Sequence, residues 1–498
     1  MSHHEDQPTG MRPLGSPPTG EPFATLHETH SGVVVLYGDR AYKTKKPIVT
    51  DFLDFGSRAA REQACAREIA LNRRLSPDVY LGLGHLVESE GNGGEPVVVM
   101  RRLPDAHRLS RLLDRGEATR IALRRLAHTL ACFHDRADRG PSIDRDGKVE
   151  ALRSRWWALL DGITDPPGPR VVVERIGTLA MRYLDSRAPL FDDRIAGRRI
   201  VDGHGDLRTD DIFLLSDGFR VLDCLDFDDS LRHIDCLDDI AFLAMDLEFR
   251  CHPELADSFV SDYSTLTGDT APPSLRHHYI AYRALVRAKV NCIRHRQGDA
   301  AAADHARRHV DIAVAHLETG AVRLALIGGL PGTGKSTIAR RVGRATGAVV
   351  LSSDHIRAHL RSTGLVRAGN GHYGTAGYSP SAKSRVYNEL LDQARIHLAH
   401  GRSVVLDASW TDGAHRGQAA AVAADLGAEP IEIRCTAPRT IAAQRIARRT
   451  DTESQASPAI AEKMAQHATV WPAAFVLDTT GPLTDTVERA LNAWRELS

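Results

Sequence analysis

Residues 203–229, GHGDLRTDDIFLLSDGFRVLDCLDFDD, hold eight aspartates and one histidine in an otherwise apolar stretch. No core accommodates that many carboxylates, and a solvated face does not interleave them with Ile-Phe-Leu-Leu and Val-Leu. Asp206 and Asp211 stand at D-x-x-x-x-D, and Asp223 follows across an expected β-hairpin. With a loop Ser216-Asp217-Gly218, Leu215 pairs with Phe219 and Asp211 lies opposite Asp223; a two-residue Asp-Gly turn offsets the two acids by one residue. Directly opposed residues have Cβ atoms about 4.5–5.5 Å apart, and two carboxylates so placed require a proton or a cation between them. Mg²⁺ is the expected cation, because hard cations choose carboxylate oxygens. Asp211 and Asp223 are therefore expected metal ligands, and Asp206 the base or orienter for an attacking hydroxyl. Solvated turn carboxylates account for Asp217 and Asp229 but not for these three together.

A second set of residues makes a phosphate cradle. Gly329-Leu330-Pro331-Gly332-Thr333-Gly334-Lys335-Ser336, followed by Thr337, satisfies G-x-x-x-x-G-K-[ST]. It follows an apolar strand over 322–327 and opens a helix, as a P-loop requires. The glycines let backbone N–H groups face phosphates, Lys335 reaches the β/γ-phosphates, and Ser336 ligates Mg²⁺. Two later strands end in acids, Asp354 in AVVLSSDHIRAHL and Asp407 in SVVLDASW. Carboxyl ends of strands face the ligand crevice of an open α/β sheet. Asp407 is expected to hold Mg²⁺ through water, Asp354 to accept a substrate hydroxyl proton, and Arg357 to pair an anionic substrate group. Each acid alone also fits a helix N-cap. Arg445, Arg448 and Arg449 share a helical face that is either a phosphate-clamping lid or a solvated surface.

The D-x-x-x-x-D spacing resembles the protein-kinase catalytic loop, and that resemblance implies a lysine for the phosphates and a helix glutamate to hold it. Glu68 lies on the helical stripe Ala64–Glu68–Leu71–Leu75, where a carboxylate is buried and needs a partner. Lys43 and Lys45 share one face of the upstream strand, so either can supply it, with Lys43 preferred.

These side chains need large scaffolds. At 498 residues the chain is too long for one core, and its 42% hydrophobic and 26% charged content is that of a soluble globular protein. Lys+Arg and Asp+Glu balance at 64 each, so no global field points to nucleic acid or membrane. No apolar run approaches the roughly 18–20 residues of a membrane span. Residues 1–22 lack the apolar core of a signal peptide and read as a disordered lead-in. Seven scattered cysteines fit reduced thiols in a cytoplasm. Strands and a helix open the chain, helical patterns surround the aspartate-rich hairpin, and strict strand–helix alternation begins after a break at ETGA. The expected domains are thus 23–317 and 321–498, the latter with a parallel sheet.

The P-loop half, with its D-x-x-R at Asp354 and Arg357, resembles the small P-loop kinases related to gluconate kinase and polynucleotide 5′-kinase, within the broader AAA-family ATPases. HGDL, LDCLDFDD and DDIAFLAMDLE, in that order, resemble the aminoglycoside phosphotransferase branch of the protein-kinase-like fold, and the whole chain resembles bacterial fusions of the two. The resemblance implies an α+β protein-kinase-like two-lobed domain followed by an α/β P-loop NTPase domain. It implies ATP and Mg²⁺ as cofactors and a small hydroxyl compound as acceptor. It also implies Asp206 as catalytic acid, Asp223 as metal ligand, and Asp238 or Asp239 as support for the catalytic loop. Two features depart from the family pattern: Asp211 replaces Asn, and HSGVVVLYG stands where G-x-G-x-x-G is usual. They leave open an alternative in which the first half is a nucleotide-binding module controlling the second.

Overall fold

Five short segments near the start of the chain, of which β2 and β5 carry runs of valine, pair into one antiparallel sheet: β1 (Ala24–Glu28), β2 (Gly32–Tyr37), β3 (Arg40–Lys45), β4 (Tyr80–Leu86) and β5 (Glu95–Arg101), in the order β1-β2-β3-β5-β4. The computed structural model describes residues 14–28, 32–49, 54–86, 94–163, 170–363, 365, 379–448 and 457–496. Two compact units result, each made of two stretches of chain: Met1–Gly147 with Ile195–Thr270, and Lys148–Arg194 with Ala271–Ser498.

In the first unit, the helix Arg58–Asn72 is started by Ser57, whose hydroxyl accepts from the Ala60 N–H, and buries Cys65 and Ile69 against Ala41, Tyr80, Val98 and Met100 of the sheet. Its buried stripe is Arg61–Cys65–Glu68–Asn72 rather than the expected Ala64–Glu68–Leu71–Leu75; Glu68 is common to both. Arg61 can sit inside because Phe55 O and the Glu95 carboxylate accept from its guanidinium. Beyond the sheet come two small antiparallel ladders, β6 (Ile200–Asp202) with β9 (His233–Asp235) and β7 (Ile212–Leu215) with β8 (Gly218–Val221). The apolar helix Cys236–Phe249 follows β9 directly. Residues 14–22, expected within a disordered lead-in, are held in place. Gly15 N–H donates to Asp39 Oδ1 at 3.0 Å, and the buried Arg102 donates to the Glu21 carboxylate at 2.7 Å. The rest of that lead-in, residues 1–13, lies outside the described residues.

The second unit is built on β10 (Arg323–Gly328), β11 (Val349–Ser352), β12 (Val404–Asp407), β13 (Glu429–Thr436) and β14 (Phe475–Asp478), all parallel in the order β11-β12-β10-β13-β14. β10 and β12 are continuous apolar runs because helices cover both faces of such a sheet. Ile338 and Val342 of the helix Lys335–Thr346 pack with Ala325, Val405, Ile433 and Trp494. The contact division does not fall at the expected boundary near residue 320. The helices of 148–194 and 271–319 group with the P-loop stretch, joined to it by Arg182 to Glu429 at 2.8 Å and by Ser274 Oγ donating to Gly401 O at 2.6 Å. The change in hydrophobic period at ETGA marks a change of architecture, not a change of packing partners.

Candidate active sites

In the second unit the strand register delivers the chemistry. Asp407 pairs in register with Ser352 of β11 and Ile327 of β10, so the acid and the phosphate loop leave adjacent strands at the same carboxyl edge. Gly332 turns the loop at φ +82°, and a Cβ there would meet the Ala442 carbonyl oxygen at 2.4 Å, which leaves room for glycine alone. Lys335, Ser336, Thr337, Asp354 and Asp407 converge on one cavity of about 580 Å³. Asp407 is 5% exposed, and its Oδ1 has no hydrogen-bond partner among the described residues. Burial pushes its carboxyl up, against the pull of Lys335 and a hydrogen bond from Ser336. A buried carboxylate oxygen beside Ser336 and Lys335 is the donor set a Mg²⁺–nucleotide fits, because the metal would satisfy the oxygen that the chain leaves over.

Neither acid is a helix N-cap. Asp407 ends a strand, and Asp354 sits inside the helix Ser353–Ser362, which Ser352 caps. The i,i+3 spacing pairs Asp354 with Arg357 directly. Arg445 lies behind the P-loop, where its guanidinium donates to Thr479 O at 2.7 Å, to Thr479 Oγ1 at 3.0 Å and to Gly332 O at 3.5 Å. It braces the loop's carbonyl side and is absent from the cavity lining. Arg448 is exposed, and Arg449 lies outside the described residues. Gln393, which sequence reasoning passed over, also lines the cavity; a lone amide in a helix carries no motif.

In the first unit, three segments meet at one cluster of charges. Lys43 Nζ lies 2.8 Å from Glu68 Oε1 and 2.8 Å from Asp223 Oδ1. Lys45 Nζ lies 2.7 Å from Glu68 Oε2 and 2.8 Å from Asp226 Oδ2. The choice between the two lysines therefore has a double answer: the shared strand face sends both inward, and Glu68, 1% exposed, bridges them. Burial would raise the Glu68 carboxyl, but the two ammonium groups hold it below its usual range. Burial likewise opposes charge on Lys43, yet Asp223 and Glu68 raise it well above an ordinary lysine. Lys43 holds Asp223 well below the usual carboxylate range.

The hairpin turns on Ser216-Asp217, with Leu215 paired to Gly218, so Asp211 is opposite Leu222 and Asp223 is offset by one residue. Asp223 adopts φ +61°, which swings its side chain out of the ladder's alternation; a left-handed aspartate is a strained conformation of the kind concentrated at functional sites. Arg208, missed in the sequence, stands between the other acids, 2.6 Å from Asp211 Oδ2 and 3.3 Å from Asp206 Oδ2. Burial, with repulsion from Asp223, Asp206 and Asp210, outweighs Arg208 and pushes the Asp211 carboxyl up to about 7. Of the two acids expected to support the loop that carries Asp206, Asp239 holds residues 204 and 205 directly. Its carboxylate accepts from His204 N at 2.7 Å, Gly205 N at 3.0 Å and His134 Nε2 at 3.1 Å. Asp246, also missed, fastens the loop's far end by accepting from Thr209 N at 2.8 Å. Among the described residues, no group of three or more His, Cys, Asp or Glu can hold a metal unaided. A cation at Asp211 and Asp223 would therefore take its remaining oxygens from a nucleotide and water.

The chain thus combines an α+β part on an antiparallel five-stranded sheet with an α/β part on a parallel five-stranded sheet that carries a P-loop sequence. Residues 324–481 match the family described as AAA domain. Over 482 residues the chain is 45% identical to the uncharacterized proteins Rv2004c of Mycobacterium tuberculosis (strain H37Rv) and Mb2027c of Mycobacterium bovis, covering 96% of this chain and 97% of each relative. The chain belongs to the family of these mycobacterial proteins. Among solved structures, it is similar to a choline/ethanolamine kinase family protein from Mesorhizobium loti (16% identity, 60% of this chain and 92% of that one, TM-score 0.37). It is also similar to a gluconokinase from Sinorhizobium meliloti (15% identity, 35% and 93%, TM-score 0.27). Among the described residues, no helix is long and apolar enough to cross a membrane.

Proposed function

We propose that this protein is an ATP- and Mg²⁺-dependent phosphotransferase with two kinase-type sites, acting on hydroxyl groups of small molecules in the cytoplasm. The observation that carries the reading is the buried, unsatisfied Asp407 oxygen beside Ser336 and Lys335 in the P-loop cavity. There the P-loop amides and Lys335 would bind the β/γ-phosphates, and Ser336 and Asp407 would hold Mg²⁺, which neutralises charge on the transferring group. Asp354 is the base for the acceptor hydroxyl, and its pairing with Arg357 orients it. In the first site, Lys43 would exchange Asp223 for a nucleotide phosphate while Glu68 keeps the ammonium in place. The freed Asp223, with Asp211, would then hold the nucleotide's Mg²⁺, and Asp206 would orient the acceptor.

The test is transfer of labelled γ-phosphate by the full chain to a panel of sugars, amino alcohols and nucleosides, with Lys335→Met and Asp206→Asn variants assigning any product to its site. ATP hydrolysis without any phosphorylated acceptor would reject the transferase reading in favour of an NTPase switch. The first half as a regulatory module is a second reading, supported by the pairing of its charged groups with one another. Product formation lost in Asp206→Asn but kept in Lys335→Met would reject it.

A further inference from the structure

Away from both clusters, within the second unit, Tyr183, Arg187, Ser274, His278 and Gly427 line a cavity of about 20 Å³. That is room for about one water or one monatomic ion, and too little for phosphate, a carboxylic acid or a nucleotide. Its walls come from the helix Arg170–Asp185 and the turn after it, the helix Pro273–Arg296, the end of the helix Ala302–Thr319 with the segment 320–322, and Gly427 beyond the helix Gly413–Asp425; Arg182 and His316 are the other charged or titratable groups on it.

Two buried nitrogen atoms of the lining residues have no hydrogen-bond partner among the described residues. Arg187 is 1% exposed; its guanidinium donates to Ser186 O at 3.0 Å and Leu426 O at 2.5 Å, while Nε has no partner among the described residues. His278 is 2% exposed and stacks on the Tyr183 ring at 4.6 Å. Its Nε2 accepts from Trp156 Nε1 at 3.1 Å, so the neutral ring carries its proton on Nδ1, which also lacks a partner among the described residues. Burial keeps that ring neutral, pushing its pKa down to about 3. Ser274 is already committed, donating to Gly401 O at 2.6 Å and lying 3.0 Å from the Tyr183 hydroxyl.

Charge decides what the cavity takes. Among the described residues no carboxylate pairs with Arg187, and its neighbour Arg182 uses Glu429, which also faces Arg323 at 3.5 Å. A buried guanidinium without a counter-ion is costly, and carbonyl oxygens compensate it only in part. Two unpartnered N–H donors on lining residues, a guanidinium whose described neighbours are the Tyr183 ring and two carbonyl oxygens, and room for one atom select a monovalent monatomic anion. We propose that this cavity binds one halide ion, chloride under ordinary conditions, held by the Arg187 Nε–H and the His278 Nδ1–H. The ion ties the helices of 170–185 and 273–296 to the P-loop core of the same unit. Nothing in this inference rests on the phosphotransferase reading.

The experiment is thermal unfolding of the full chain in sodium chloride or bromide against sodium gluconate at equal ionic strength. Gluconate is too large for the cavity. We expect a saturable rise in Tm of about 2–4 °C with either halide. His278→Phe keeps the stacked ring and removes the donor, and should abolish that rise. Crystals grown in bromide should give an anomalous peak beside Arg187. Equal Tm in halide and gluconate, or a halide rise that His278→Phe retains, would overturn the proposal. An anomalous map without bromide beside Arg187 would do the same, leaving water as the occupant.

Discussion

Lys43 and Lys335 are assigned the same task, yet the molecule holds them differently. Lys43 is shared between Glu68 and Asp223 at 2.8 Å each, while Lys335 lines its cavity with no carboxylate paired to it among the described residues. The acids differ in the same sense. Asp223 pairs with Lys43 and Asp211 with Arg208, whereas Asp407 keeps an unsatisfied oxygen. On the proposed reading, the first site would have to exchange partners before taking a nucleotide, while the second would need only to receive one. A closed network of charges is robust as structure and slow to yield as a binding site.

The largest effect expected from breaking this contrast is on stability. Glu68→Gln leaves Lys43 and Lys45 facing each other with one fewer negative charge, and removing one partner of a buried ion pair costs about 3–5 kcal/mol. Denaturant unfolding of the full chain should show this loss, and a change below about 1 kcal/mol would mean the network is dispensable. Next is Lys335→Met, which should reduce turnover at the P-loop site by about 10²–10³-fold, the usual consequence of removing one donor from a transferring phosphoryl group. Steady-state ATP turnover of an Asp206→Asn/Lys335→Met chain against Asp206→Asn alone measures it. Third, Asp223→Ala should weaken Mg²⁺-dependent nucleotide binding at the first site by about 10–100-fold, the worth of one or two charge-assisted contacts. Calorimetric titration of ATP into a Lys335→Met background, with Mg²⁺ and with EDTA, isolates that site; equal binding in the two buffers contradicts the metal role of Asp223. The smallest effect is a sharpening test. Asp206→Asn should leave P-loop turnover within about threefold of normal, since each site has its own lysine and acids; a collapse in a folded variant favours control of one half by the other.

How much of this was legible depended on how local the signal was. The P-loop, the strand-end Asp407 and the helical Asp354 were legible as a group because phosphate chemistry fixes residue type and spacing within a few positions. Glu68 was found because a carboxylate on an apolar stripe is anomalous wherever the stripe is drawn, and here it was drawn one position off. The hairpin register went to the turn Ser216-Asp217, since Gly218 serves as well in the ladder as in the loop. Arg208, Asp226 and Asp246 escaped because their partners are set by the folded cluster. An arginine two residues after an aspartate looks like solvated charge until burial forces it between two carboxylates. Helical periodicity beside the P-loop leaves Arg445 on either a phosphate-clamping lid or a solvated face, because it gives a face but not what lies opposite; the contacts of Arg445 with Thr479 are set by the fold.

The interleaved composition of the two units has a consequence for how the chain is made. Residues 148–194 leave the ribosome long before their partners at 271–498, and the first unit is complete only when Thr270 has emerged. At roughly 5–20 residues per second, the 304 residues from Arg194 to Ser498 take about 15–60 s to synthesise (498 − 194 = 304). Through that interval Trp156, Leu159, Ile176 and Leu184, all buried in the finished protein, wait without the surface that covers them. We expect nascent chains stalled near residue 270 to have a protected first unit and a protease-sensitive 148–194 segment, which makes this insertion the point at which the growing polypeptide most needs a chaperone.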